Sequence, residues 1–203
     1  GATKTYMVNL GQASQFTNAT SPLTLSLGTV GADLSTLFGS SSAVTPWYSR
    51  ADLFWGIAGT TGSFDPVGSD PAKTLYATRK QLTPGTQSVP WVRKSDTTQG
   101  TTTTKMVSMM TAFNGSPAAT ATNAVSQNTT DANSWASFQP GGTTSNSGPA
   151  PGVSFAAFNP SVEGTFGSGT AGSILDLYRM APGSGPTIDT AGDYIGRFIL
   201  NDS

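Results

Sequence analysis

The sequence lacks cysteine and histidine altogether, and its 203 residues include one glutamate, Glu163. Without Cys there is no disulfide framework and no thiolate metal site. Without His there is no Ser-His-Asp triad and no His-bearing metal centre. A pair built from Asp and Glu163, as in glycosidases, is the catalytic arrangement that remains open. We therefore predict that the protein is not an enzyme and holds neither a metal nor another cofactor.

Charge is also scarce. Charged residues make up 10% of the chain, and the formal net charge at pH 7 is −1, whereas a charged fraction of about 25% is usual. A nearly neutral chain has no long-range field to attract nucleic acid or anionic lipid. No run approaches the ~20 apolar residues that span a bilayer. We expect no nucleic-acid partner and no membrane span.

Small and β-branched residues take the place of charge: the chain has 31 Thr, 25 Ser, 24 Gly and 13 Pro. Thr favours strands because its branched side chain fits the pleat, while Gly and Pro interrupt helices. The length suits one core, and no change in composition marks a second domain. We predict a single all-β domain over residues 1–203, a β-sandwich or jelly roll with one or two short helices.

Alternation of apolar and polar residues predicts the strands. It is clearest at residues 3–10, where Tyr6, Val8 and Leu10 share one face. The closing stretch, 173–200, reads as two strands joined by a long Pro/Gly-rich loop. Weaker patterns predict further strands at 23–27, 52–58, 74–79, 90–94, 105–112 and 153–158.

Helical spacing is found at two places. Leu34, Leu37 and Phe38 precede Gly39, a residue suited to a helix C-terminus, so the pattern predicts a two-turn helix over 31–38. A weak helical stripe of alanines follows Pro117. The Met-rich segment 105–112 is also compatible with a helical turn, although we favour a buried strand there.

Three short motifs invite a functional interpretation. Gly167–Gly172 matches G-x-G-x-x-G, but no buried strand precedes it and no packing helix follows, so we predict no nucleotide site. Asp189 begins an Asp-Thr-Ala-Gly segment that we interpret as a turn. Asp65 and Asp70 could supply oxygen ligands to Ca²⁺, but their spacing fits no defined calcium loop and a plain turn is favoured.

Four segments carry a resemblance to a known family: DLFWGI at 52–57, NSWASF at 133–138, ILDLYR at 174–179 and GDYIGRFIL at 192–200. In these segments the chain resembles secreted bacterial proteins of the PEP-CTERM type. The resemblance implies an all-β extracellular protein that an exosortase sorts through a C-terminal signal. The Pro-Glu-Pro of that signal does not occur in this sequence. An opening Gly-Ala without Met also fits removal of a signal peptide, and we expect an extracellular or cell-surface location.

Two functional hypotheses follow. The first is a structural protein that polymerises into a fibre, filament or matrix. In this hypothesis the strand at 3–10 pairs with a neighbouring copy's sheet edge and buries Tyr6, Val8 and Leu10. The alternative is that this strand pairs within its own domain. The second is a secreted carbohydrate-binding or adhesive module whose partner is an extracellular polysaccharide. Its sugar-stacking candidates, which could instead fill the core, are Trp47, Trp91 and Trp135.

Overall fold

The computed structural model describes residues 4–39, 46–50, 52–131, 134–135, 162–166 and 174–200. Within these ranges, strands pair into three antiparallel sheets, as expected for a β-rich fold. The strands are β1 Lys4–Val8, β2 Phe54–Trp55, β3 Ala58–Thr60, β4 Leu75–Lys80, β5 Ala124–Asn128, β6 Gly164–Thr165, β7 Ile174–Met180 and β8 Asp193–Ile199. The α-helices are α1 Ser14–Thr17, α2 Val30–Phe38, α3 Asp96–Asn114 and α4 Pro117–Thr122.

The closing stretch forms half of the largest sheet, whose strand order is β3-β4-β7-β8. β7 and β8 pair antiparallel from Ile174 opposite Ile199 to Arg179 opposite Asp193, which confirms the two predicted strands. The register shifts by one residue near Ile195, so β8 carries a bulge. In the sheet that the described residues form, β8 is an edge strand because it is the last in this order.

The two inner strands of this sheet are β4 and β7, and the strand predicted at 52–58 forms only in part. Only Phe54 and Trp55 of that segment form β2, and Ala58 begins the short edge strand β3. The strand predicted at 74–79 is confirmed as β4, whereas segment 90–94 makes a single bridge at Val92. The strand predicted at 153–158 and the glycine motif at 167–172 lie outside the described residues.

The strand predicted at 105–112 is wrong, because this segment belongs to the 19-residue helix α3. The helix begins after Ser95, whose hydroxyl accepts a hydrogen bond from the Thr98 backbone N–H at 3.3 Å and so caps the N-terminus. Its buried side chains recur at helical spacing: Gln99, Thr102, Thr103, Met106, Met109 and Phe113. The fold thus contains a long helix in addition to short ones such as α2, which was predicted correctly.

α3 packs on the large sheet, and its two buried methionines enter the main core. That core consists of Leu75, Ala77, Trp91, Met106, Met109, Val162, Tyr178 and Met180. The side chain of Gln99 is fully buried and fixes the first turn of the helix. Its Oε1 accepts from the Lys94 N–H, and its Nε2 donates to the carbonyl oxygens of Lys73 and Met180, each at 2.9 Å.

Candidate assembly surfaces

The N-terminal strand β1 forms a two-stranded antiparallel ribbon with β5 of the same chain. The pairing runs from Lys4 opposite Asn128 to Val8 opposite Ala124. At the first of these pairs, the Lys4 Nζ donates to the Asn128 Oδ1 at 2.9 Å. Of the two alternatives for this strand, the structure therefore contains the intrachain pairing.

The two faces of β1 have different surroundings. Met7 packs against the core, while Tyr6 and Val8 on the other face are half-buried and Leu10 lies beyond the strand's end. The Tyr6 hydroxyl donates to the Asp33 Oδ2 on α2 at 2.5 Å. Burial, together with this bond to a carboxylate, raises the pKa of the Tyr6 hydroxyl. The face that enters the core is thus the Met7 face, and the predicted face contacts α2.

A long connector joins this N-terminal part to α2. Residues 18–29 form neither helix nor strand, and nearly all of them are exposed. The strand predicted at 23–27 is therefore wrong, and Leu23 and Leu25 are 51% and 38% exposed. Alternation alone does not make a strand when no neighbouring strand accepts its hydrogen bonds. β1 and α1 are therefore joined to α2 by a largely exposed stretch of chain.

Trp47 and Trp91 do not have the exposed ring that stacking on a sugar requires. They are 7% and 3% exposed. The Trp47 ring makes an edge contact with Phe166 at a centroid distance of 5.4 Å. The Trp91 indole N–H donates to the Thr78 carbonyl oxygen at 2.9 Å, and the Arg79 guanidinium lies 4.4 Å from its ring. Both side chains fill the interior, because burying a large ring is strongly favourable.

Trp135, the third candidate, is half-buried. Its indole N–H donates to the Glu163 Oε1 at 2.5 Å, and Glu163 itself is 4% exposed. The backbone of Gly56 packs against both residues, since a Cβ at that position would lie 3.2 Å from each side chain. The single glutamate therefore serves as a buried acceptor beside a tryptophan, and the carbohydrate hypothesis stays a prediction that this geometry does not favour.

The loop with Asp65 and Asp70 is a turn, and the Asp70 carboxylate is already occupied. Val67 and Asp70 exchange backbone hydrogen bonds of 2.9 and 3.0 Å around Gly68, whose φ is +60°. The buried Asp70 carboxylate accepts from the Tyr76 hydroxyl and pairs with Arg179. In the part of the chain that the structure describes, no group of three or more acidic or other metal-ligating side chains could hold a metal ion.

The same turn exposes a feature that the sequence interpretation missed. Phe64 is 88% exposed and Val67 is 46% exposed. Asp65, between them, is exposed and makes no hydrogen bond or ion pair with the described residues, while the other aspartates in the described ranges each accept at least one hydrogen bond. We call the three residues Phe64, Asp65 and Val67 the hairpin knob. The sequence did contain a signal for this exposed ring, because Phe64 lies among Ser, Asp and Pro, which are typical of turns.

A second apolar surface lies on one face of the large sheet, beside β8. Tyr194, Arg197 and Ile199 share this face because they lie opposite Tyr178, Asp176 and Ile174 of β7. The rings of Tyr178 and Tyr194 are in edge contact at 5.8 Å.

Loop 81–90 extends this surface. The Gln81 amide and the Ser88 backbone N–H both donate to the buried Asp176 carboxylate, at 2.8 and 2.5 Å, which holds the loop on the same face. Two loop residues are strongly exposed, Leu82 at 77% and Val89 at 68%. We call the five residues Leu82, Val89, Tyr194, Arg197 and Ile199 the β8 patch.

No protein-family model, curated protein or solved structure matches this chain. Among the described helices, none combines the length and the apolar character that crossing a membrane requires.

Proposed function

We propose that the protein is an extracellular structural protein that self-assembles into a fibre, filament or matrix by exchanging β1 between copies. The observation that supports this most is the N-terminal architecture: β1 pairs only with β5 in a separate two-stranded ribbon, among the described residues, and a long exposed connector tethers it. The PEP-CTERM resemblance supports the location. As part of the same proposal, the antiparallel sheets stack as a β-sandwich or jelly roll.

In such an arrangement, the free-energy difference between intrachain and exchanged pairing of β1 is small. A β1 donated by a neighbouring copy makes the same contacts with β5 that the chain's own β1 makes, so the balance depends on concentration and on the connector. Twelve connector residues, 18–29, span up to about 40 Å when extended. If each copy donates β1 to the next instead of returning it to the same partner, the product is an open chain.

A disulfide between β1 and β5 tests the exchange, because the chain has no cysteine of its own. Lys4 and Asn128 are directly opposed, and opposed residues in antiparallel strands have Cα atoms about 4.5–5.5 Å apart, within disulfide range. We expect the variant Lys4→Cys/Asn128→Cys, oxidised as a dilute monomer, to lose the fibres that the reduced variant forms. Oxidation after assembly should give an interchain ladder on a non-reducing gel.

The matched control is Ala58→Cys/Ala77→Cys, which links β3 to β4 within the large sheet. This bond should form within one chain before and after assembly and should leave fibre formation unchanged. If the Lys4–Asn128 variant forms the same fibres when locked, with the disulfide confined to single chains, exchange of β1 is refuted.

A further inference from the structure

We propose that a second contact joins the copies: the hairpin knob of one molecule inserts into the β8 patch of the next copy. This inference rests on the proposed function in that both describe contacts between copies, but the two surfaces share no residue with the β1–β5 ribbon. It deepens the proposal by assigning a side-chain recognition site to an otherwise backbone-mediated assembly.

The turn that follows the exposed Phe64 and Asp65 is closed before any partner binds. The Val67–Asp70 backbone bonds close the turn, and the Asp70 carboxylate fastens its base to Tyr76 on β4 and Arg179 on β7. The closed turn limits the backbone entropy that is lost when the exposed Phe64 ring is buried by a partner. An aromatic side chain is a typical anchor of a protein interface.

The two surfaces carry complementary free charges. Asp65 on the knob makes no ion pair among the described residues, and neither does Arg197 on the patch. Arg79 and Arg197 lie on either side of Asp176 in one cross-strand row, so the row contains two cations and one carboxylate. An acidic aromatic knob is thus matched to a basic apolar patch, and this complementarity identifies a second copy as the occupant.

The geometry prevents a molecule from filling its own patch. The base of the knob is fixed to Tyr76 and Arg179, whereas the patch surrounds Tyr178 on β7. Adjacent residues of a strand point to opposite faces, so the knob and the patch arise from opposite sides of the sheet. A contact between two different surfaces propagates as an open chain unless the rotation between copies closes a ring.

The test uses the oxidised Lys4→Cys/Asn128→Cys protein, in which exchange of β1 is blocked, and follows association by sedimentation velocity. We expect the locked protein to associate weakly with rising concentration. Phe64→Ser and Leu82→Ser/Val89→Ser, each added to the locked protein, should weaken self-association at least tenfold. Val107→Ser is the matched control: this residue of α3 is 43% exposed but lies outside both surfaces, and its removal should change nothing.

Mixing provides the stricter readout. Equal amounts of the Phe64→Ser and Leu82→Ser/Val89→Ser proteins should form one-to-one dimers, because one partner retains an intact knob and the other an intact patch. Likewise, Asp65→Arg should abolish association, and the double variant Asp65→Arg/Arg197→Asp should restore it.

Two outcomes would overturn the inference: a locked protein that does not associate at all, or one whose association is equally strong without Phe64. Neither outcome affects fibres formed by the reduced protein, so a failure of the knob is distinguishable from a failure of self-assembly. A locked protein that stays monomeric and instead sediments with insoluble polysaccharide through Phe64 would also overturn it.

Discussion

Replacing Gln99 by Met tests how α3 is attached to the sheet. The fully buried amide makes three hydrogen bonds of 2.9 Å, to the Lys94 N–H and to the carbonyl oxygens of Lys73 and Met180. A methionine has a similar volume and opens no cavity, but it removes the buried partner of all three backbone groups. At about 1 kcal/mol for each bond, we expect a loss of about 3 kcal/mol in the free energy of unfolding.

For a domain of this size, that loss lowers Tm by roughly 6–12 °C. Guanidinium unfolding followed by circular dichroism should show a lower midpoint with an unchanged slope. Thr101→Met is the control, because Thr101 is exposed on the same helix and its replacement should change stability by less than about 0.5 kcal/mol. A loss below about 1 kcal/mol for Gln99→Met would refute the assignment of Gln99 as the attachment point.

Two further predictions concern stability. In a urea titration, Gly192→Ala should destabilise the protein by about 1–3 kcal/mol, because a Cβ there would lie 2.9 Å from the Arg179 carbonyl oxygen. The control is Gly196→Ala, in the same part of the chain. No atom lies within 4 Å of a Cβ at that position, so this substitution should be nearly neutral. Burial raises the pKa of both Tyr6 and Tyr76 above their ordinary value. Because the folded pKa exceeds the unfolded one, their contribution is complete below pH about 10 and is lost as the pH rises further. The fall in stability above that pH should be shallower in the Tyr6→Phe/Tyr76→Phe variant than in the parent, and equal slopes would contradict the assignment.

The sequence predicted well those elements whose apolar periodicity or terminal residue agrees with the strand pairing or helix end that the fold provides. The alternation in 173–200 predicted β7 and β8 correctly, because β7 pairs with both β4 and β8 and so gives β8 a hydrogen-bonded partner. Gly39 marked the end of α2 correctly, since its φ of +114° is one that glycine adopts readily.

α3 was missed because its buried stripe contains Gln99, Thr102 and Thr103, so hydrophobicity does not reveal the helical period. Three signals were nevertheless present: a capping Ser95, an acidic first turn, and Met106, Met109 and Phe113 at spacings of three and four. Low-complexity threonine is thus compatible with a helix when its hydroxyls are satisfied, as the Thr104 Oγ1 is by donating to the Gly100 carbonyl oxygen at 2.9 Å.

The assembly role of the N-terminal strand stays a prediction. The sequence predicted the strand itself, but not that its Met7 face enters the core, because the partner strand β5 lies more than 100 residues away in the chain. Aromatic residue type also does not distinguish an interior ring from an exposed one. Trp91 is buried and Phe64 is exposed, and the difference arises from the tertiary positions of a loop and a turn.

The most direct test of the central claim is sedimentation velocity of the wild-type protein over a wide concentration range, with electron microscopy of the same samples. Self-assembly predicts that the mass rises with concentration above the 20.8 kDa of one chain and that filaments or a connected matrix are visible at the upper end. A single 20.8 kDa species at every concentration, with no ordered particles on the grid, would contradict the account.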